Sequence, residues 1–408
     1  MLKGNCIVGQ SGGPTAVINS TLAGVIKQAI RSPEIERVYG ARHGIEGVIG
    51  DKLIDLTDTF DNPSQLDLLR KTPASYLGSC RYSLSKKDDS VYDKIFDVFK
   101  KYNIAYFFYI GGNDSMDTVS RLSKYAEKIG FPIRIMGVPK TIDNDIAVTD
   151  HCPGFGSSAK YVATCMRELA RDTQVYDRNS VTIVEIMGRN AGWLTAAAAL
   201  GRSNDESCPH LIYLPEIDFS FEKFVNDVKD IAKKHRNVVV AVSEGVKSDG
   251  RYVCESSMIG KIDEFGHKPL SGTARVLASL LSSEIDAKVR CVELSITQRA
   301  SIHLASYVDW QEAYNIGVKA VQWAVAGQSA KMMYFERTSM SPYEIEIKSM
   351  DVDEVANVEK LVPREWINDE GNDVKKEIID YIKPLIQGEV GLVFEEGLPV
   401  FLKKQKTP

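Results

Sequence analysis

Four runs in this chain, Tyr106–Ile110, Ile133–Val138, Val181–Met187 and Val238–Val242, are apolar or β-branched at almost every position. A strand with one wet face alternates apolar and polar residues, whereas an almost uninterrupted run must be covered on both faces. Such strands belong to parallel sheets flanked by helices. Shorter runs at Cys6–Val8, Val38–Tyr39, Leu211–Leu214 and Val289–Leu294 extend the series. Amphipathic stretches separate them: Ala16–Ile30, Val91–Tyr102, Ser115–Ile129, Ser157–Thr173, Phe221–His235, Gly272–Ser283 and Trp310–Ala326. This alternation predicts an α/β fold with mainly parallel sheets. With 408 residues there is material for two sheets, divided near residues 150–157 and both completed by returns of the chain after about residue 300. A last helix is expected from Asp373, with Pro384 kinking or ending it.

Composition narrows the function. A formal charge of −5 and an isoelectric point near 5.8 argue against a nucleic-acid or anionic-membrane surface, and no apolar run is long enough to span a bilayer. The seven cysteines include no Cys-x-x-Cys, and the six histidines show no i, i+4 pair, so neither a disulfide scaffold nor a zinc site is expected. The first residues enter a strand-like run directly, without an apolar leader. A reduced, cytoplasmic protein is the expectation.

The chemistry lies where strands end. Cys6–Val8 runs into Gly9-Gln10-Ser11-Gly12-Gly13-Pro14-Thr15, and Tyr106–Ile110 into Gly111-Gly112-Asn113-Asp114-Ser115. Glycines at a strand-to-helix turn let backbone N–H groups approach a phosphate. A tight turn explains the first loop equally well, and Ser115 as an N-cap explains part of the second. The third loop, Pro139-Lys140-Thr141-Ile142-Asp143-Asn144-Asp145, places two carboxylates, an amide, a hydroxyl and a lysine after a buried strand. Asp and Asn are common turn formers, but three such loops from one sheet edge favour a ligand site. Leu77–Tyr82 carries Arg81, followed by Lys86 and Lys87, and alone reads as a solvated basic loop. The second half offers Gly188-Arg189-Asn190-Ala191-Gly192, Ser243-Glu244-Gly245, and Arg290 and Arg299 flanking an apolar strand. The basic tail Lys403-Lys404-Gln405-Lys406 reads as solvated.

Taken together, Ser11-Gly12-Gly13, Gly78–Arg81, Gly111–Ser115, Pro139–Asp145, Met187-Gly188-Arg189, Glu244 and the pair Arg290 and Arg299 resemble, in order, the phosphofructokinase family. That resemblance implies two Rossmann-like domains with the active site in the cleft between them. A phosphoryl-donor domain would comprise residues 1–154 plus roughly 300–345; a fructose 6-phosphate domain would comprise 155–299 plus roughly 346–408. It implies Mg²⁺-dependent phosphoryl transfer to the 1-hydroxyl of fructose 6-phosphate, with Asp143 as general base and Thr141 at the transferring group. Gly12, Arg81 and Gly112 would hold donor phosphates; Asn113 and Asp145 would lie near the metal. Ile142, Met187, Gly188, Arg189, Glu244 and Arg299 would line the sugar-phosphate side. Arg290 would reach the 6-phosphate of a neighbouring subunit, which implies a homodimer or a larger homo-oligomer.

Two positions address the donor. Relatives that use ATP carry glycine where this chain has Asp114 and tend to carry glycine where it has Lys140. Two like charges about 4 Å apart cost roughly 4 kcal/mol at an effective dielectric near 20, so Asp114 should repel an α-phosphate. Lys140 can neutralise a small, highly charged donor and its phosphate leaving group. The pair points to pyrophosphate. The alternatives are an ATP-dependent 6-phosphofructokinase and a non-catalytic phosphometabolite sensor. Three positions depart from the family pattern: Asn113 replaces a metal-site aspartate, Ser180 an arginine and Ile296 a histidine.

Overall fold

The strands appear in the expected order, and their two faces explain their composition. The computed structural model describes residues 2–84, 89–204, 206–255, 270–355 and 358–403, so Lys86, Lys87 and tail residues 404–406 lie outside it. Strands β1 (Gly4–Gln10), β2 (Ile35–Ala41), β3 (Leu53–Asp55), β4 (Ile104–Gly111) and β5 (Arg134–Pro139) come from the first third. A second sheet is built from β6 (Ser180–Ile186), β7 (Leu211–Tyr213), β8 (Asn237–Ser243) and, beyond a short ladder of β9 (Lys247–Ser248) with β10 (Arg251–Tyr252), β11 (Lys288–Glu293). Then β12 (Lys331–Met340) and β13 (Tyr343–Asp351) return to the first sheet. The sheet orders are β13-β12-β5-β4-β1-β2-β3 and β11-β6-β8-β7.

Pairing is parallel throughout the second sheet and from β2 to β12 in the first; β3 and β13 add antiparallel edges. Successive side chains of β4 go to opposite faces: Tyr106, Phe108 and Ile110 pack under the helix Ile18–Arg31, while Phe107 and Tyr109 pack against Ser90–Lys101 and Asn113–Lys128. In β8, Val238, Val240 and Val242 face one core and Val239 and Ala241 the other. Double-sided burial, worth about 1.5–3 kcal/mol per large side chain, is why these strands lack polar alternation. None of the described helices is long and apolar enough to cross a membrane.

The C-terminal third ties the sheets together. Asp309, on the helix Tyr307–Val325, accepts from the Gly154 and Ser157 amides at 2.8 Å and so caps the helix Phe155–Thr173 from a distance. The helix Lys376–Ile382 ends where Pro384 enters a 3₁₀ turn, Lys383–Ile386, and it packs on the second core.

Candidate active site

The carboxyl ends of β1, β4 and β5 lie side by side, and their loops form one wall of a cavity of about 570 Å³. Pro139 pairs with Gly111, and the Lys140 amide donates to the Gly111 carbonyl at 2.9 Å. The Lys140 side chain, only 2% exposed, donates from Nζ to the Gly13 carbonyl at 2.6 Å. Two cationic side chains, Lys140 and Arg299, explain the glycines. A Cβ on Gly12, whose φ is +74°, would stand 3.3 Å from Lys140 Nζ, and one on Gly13 would stand 2.8 Å from Arg299 Nη1. The same loop is tied to the arginine loop: the Gly12 amide donates to the Cys80 carbonyl at 3.1 Å, and Ser79 Oγ donates to the Gly12 carbonyl at 2.6 Å. Arg81 thereby lines the cavity.

The second loop begins a helix earlier than its sequence suggests. Asn113–Lys128 is helical from Asn113, with Gly112 at the cap position and no side-chain cap, so Ser115 is a first-turn residue and not the N-cap. Its hydroxyl is packed beneath Gly111, where a Cβ would lie 1.9 Å from Oγ. Gly112, Asn113, Asp114 and Ser115 all line the cavity, which therefore receives the positive end of this helix. Asn113 Nδ2 donates to Asp145 Oδ2 at 3.5 Å, leaving Asn113 Oδ1 buried without a hydrogen-bond partner.

Asp143 and Asp145 are held by the residue between them. Asn144 is fully buried in the left-handed region, φ 56°. Its Oδ1 accepts from the Cys152 amide at 2.9 Å, and its Nδ2 donates to the Tyr381 hydroxyl at 2.9 Å. Lys360 supports the loop from the other side. Its Nζ donates to the carbonyls of Thr149 and Asp150 at 3.0 and 2.7 Å, and its amide donates to the Asp145 carbonyl at 2.7 Å. Thr141 Oγ1 accepts from the Asp143 amide at 3.1 Å.

The facing wall comes from the second sheet. Met187, Arg189, Asn190, Ala191, Glu244 and Arg299 line the same cavity, and Arg81, Met187, Arg189, Glu244 and Arg299 continue into an adjoining space of about 330 Å³ with Glu185, Glu293 and Ile296. The Gly188 amide donates to Glu244 Oε1 at 3.5 Å, just behind the lining. Arg290 is not brought there. It sits mid-strand on β11, the exposed edge of its sheet, paired in register with Thr182.

Burial dominates the electrostatics. It raises the Asp143 carboxyl above the usual carboxylate range, against the pull of Lys140, the Thr141 hydroxyl, Arg299 and Arg189. Asp145 is raised to about 7 by burial, reinforced by the charges of Asp143 and Glu359. Glu244 is raised to about 8, again by burial and then by Asp143. Burial lowers Lys140 to about 8, with Arg299 and Arg81 adding repulsion and Asp143 and Asp145 opposing it. Among the described residues no three His, Cys, Asp or Glu side chains group closely enough to hold a metal by themselves. A magnesium ion needs fewer, since it is commonly bound by one or two carboxylates with substrate phosphates and water. Asp145 and the partnerless Asn113 Oδ1 fit that requirement.

The sequence pattern described as Phosphofructokinase matches residues 5–324. The chain belongs to the phosphofructokinase family. A relative from Halomonas elongata, named pyrophosphate--fructose 6-phosphate 1-phosphotransferase, is 40% identical over 412 residues, covering 100% of this chain and 97% of its own. Two solved phosphofructokinases share the fold over nearly their whole length. The pyrophosphate-dependent phosphofructokinase of Nitrosospira multiformis has a TM-score of 0.90 at 37% identity, covering 100% of this chain and 98% of its own. That of Marinobacter aquaeolei has a TM-score of 0.87 at 38% identity, covering 98% and 97%. Of the positions to which the resemblance gives a role, Gly188 and Arg290 are the two that do not line the cavity or the space adjoining it. Sequence reasoning missed Glu359, which enters the lining from a segment beyond the family match, and the supporting Lys360 and Tyr381. No periodicity or glycine pattern marks these residues.

Proposed function

We propose that this protein transfers a phosphoryl group, reversibly and with Mg²⁺, from pyrophosphate to the 1-hydroxyl of fructose 6-phosphate, giving fructose 1,6-bisphosphate and phosphate. The observation that carries the donor assignment is Lys140. Its buried cation is fixed on the Gly13 carbonyl in the wall where Asp114 occupies the head of the Asn113–Lys128 helix. A short donor with charge concentrated on two phosphates matches that lysine; a third phosphate and nucleoside would have to pass the Asp114 carboxylate. The names of the relatives that span the whole chain support the same reading.

The placement of the side chains supports the following course for the reaction. Arg299 and Arg189 orient the sugar phosphate, and Glu244 accepts from its hydroxyls. Asp143 takes the proton of the 1-hydroxyl as that oxygen forms its bond to phosphorus. The bridging P–O bond breaks, its electron pair leaves with the departing phosphate, and Lys140 and Arg81 compensate the developing charge. Thr141 and the Gly112 amide position the transferring group, and Gly12, lacking a side chain, lets the donor approach this wall. Bound between Asp145, Asn113 and the phosphates, the metal would supply further charge neutralisation and orientation. Residues near 1–154 with the return through β12 and β13 serve the donor, and the second sheet serves the sugar. Arg290, on its exposed edge strand, faces the cavity of a second subunit in a cytoplasmic homodimer.

The test is phosphate release on mixing enzyme, Mg²⁺, fructose 6-phosphate and pyrophosphate, with phosphate-dependent loss of fructose 1,6-bisphosphate as the reverse arm. Asp143→Ala should lower kcat roughly 10³-fold, within the range for loss of a general base. No turnover by the wild type in either direction would sink the assignment.

A further inference from the structure

Asn113 leaves the expected metal position one negative charge short, and a different part of the chain brings a carboxylate to the same cavity. Glu359 lines the cavity with Asn113 and Asp145, yet it lies 35 residues beyond the end of the family match at residue 324. Its backbone bridges Ile146, the neighbour of Asp145. The surrounding segment is held at three points. The Lys360 amide donates to the Asp145 carbonyl at 2.7 Å, Trp193 Nε1 donates to the Lys360 carbonyl at 2.9 Å, and the Val362 amide donates to Glu216 Oε1 at 2.9 Å. Glu359 is therefore carried on an anchored strap, with Asn190 Nδ2 donating to its Oε1 at 2.9 Å. Asn113 Oδ1 supplies the independent sign of a missing partner, since it is buried in the cavity wall and bonds to nothing.

We propose that Glu359 is the second carboxylate of the magnesium site, supplying the charge that Asn113 lacks. Asp145, Asn113 Oδ1 and Glu359 would then offer two carboxylates and one neutral oxygen to a cation whose remaining positions go to phosphate oxygens and water. Asn190 holds Glu359 through one oxygen and leaves the other for the ion or its water. This rests on the pyrophosphate reading of the cleft, so the test separates the two.

Mn²⁺ binding, followed by the electron paramagnetic resonance of the free ion, is measured with and without methylenediphosphonate, a non-hydrolysable pyrophosphate analogue. Glu359→Gln should weaken Mn²⁺ binding at least tenfold in both conditions, and adding Asn113→Asp to it should restore affinity to within threefold of wild type. Asn190→Ala, which removes the positioning amide but keeps the carboxylate, should weaken Mn²⁺ binding less than Glu359→Gln does. The proposal is overturned if Glu359→Gln binds Mn²⁺ like wild type, or if Asn113→Asp fails to restore it. A wild type that gains no Mn²⁺ affinity from the diphosphonate contradicts the donor reading instead. The ratio of wild type to Glu359→Gln with Mn²⁺ alone still decides the role of Glu359.

Discussion

The two walls of the cleft are built on different principles. On the first, three loops leave adjacent parallel strands, glycines bring the backbone close, and a single lysine is locked to a carbonyl at 2.6 Å. On the second, the lining groups are long side chains, Arg189, Glu244 and Arg299, set beside an exposed edge strand. A wall made of backbone has little freedom to adapt, which suits a small donor of fixed shape. A wall made of side chains is tuned by charge. Donor choice should therefore depend on few residues and change sharply. Sugar recognition should depend on several residues and change gradually.

Replacing Lys140 gives the largest expected separation. Lys140→Met should lower kcat/KM for pyrophosphate by about 10²–10³-fold, as expected for removing one charge-stabilising group. The dissociation constant for fructose 6-phosphate, measured by calorimetry, should change less than threefold. Equal losses for both ligands would break the contrast between the walls.

Asn144 comes next, because its loop serves both walls. Asn144→Ala removes two buried hydrogen bonds and places alanine at φ 56°. Each lost bond costs about 1–3 kcal/mol where a buried partner is left unsatisfied. A lower denaturation midpoint with reduced kcat for both substrates is the expected result. Unchanged stability would mean that the Tyr381 and Cys152 contacts do not hold the loop.

Glu244 gives a smaller, pH-dependent effect. Its carboxyl rises from an ordinary 4.5 to about 8 in the folded chain. A folded-state pKa above the unfolded one stabilises the protein fully below the lower value, and that contribution is lost as pH rises through the upper one. Glu244→Gln should therefore gain thermal stability over wild type progressively between about pH 4.5 and 8, with no further gain above. Thermal shifts across that range measure it. A gain that runs the opposite way with pH would show that the folded site prefers the carboxylate.

The parts that could be read from the sequence were those whose physics is local. Continuous apolar strands announced the two sheets because each residue in them is buried on one face or the other. The glycine loops and the Pro139–Asp145 stretch were legible because they follow those strands directly. β13 escaped notice for the opposite reason: Glu344, Glu346 and Lys348 alternate with Tyr343, Ile345 and Ile347 on a half-wet edge. The early start of the helix at Asn113 depends on Ser115 packing under Gly111, a contact that capping preferences do not encode. Glu359, Lys360 and Tyr381 reach the site through pairings that span more than 200 residues, such as Lys360 with Asp150 and Tyr381 with Asn144.

The donor claim is tested most directly by the ratio of kcat/KM for pyrophosphate to that for ATP, measured with fructose 6-phosphate for wild type and for the Asp114→Gly, Lys140→Gly double variant. Wild type should favour pyrophosphate by roughly a thousandfold or more, the equivalent of about 4 kcal/mol, and the double variant should lose most of that preference. A wild type that uses ATP as well as pyrophosphate would contradict the account.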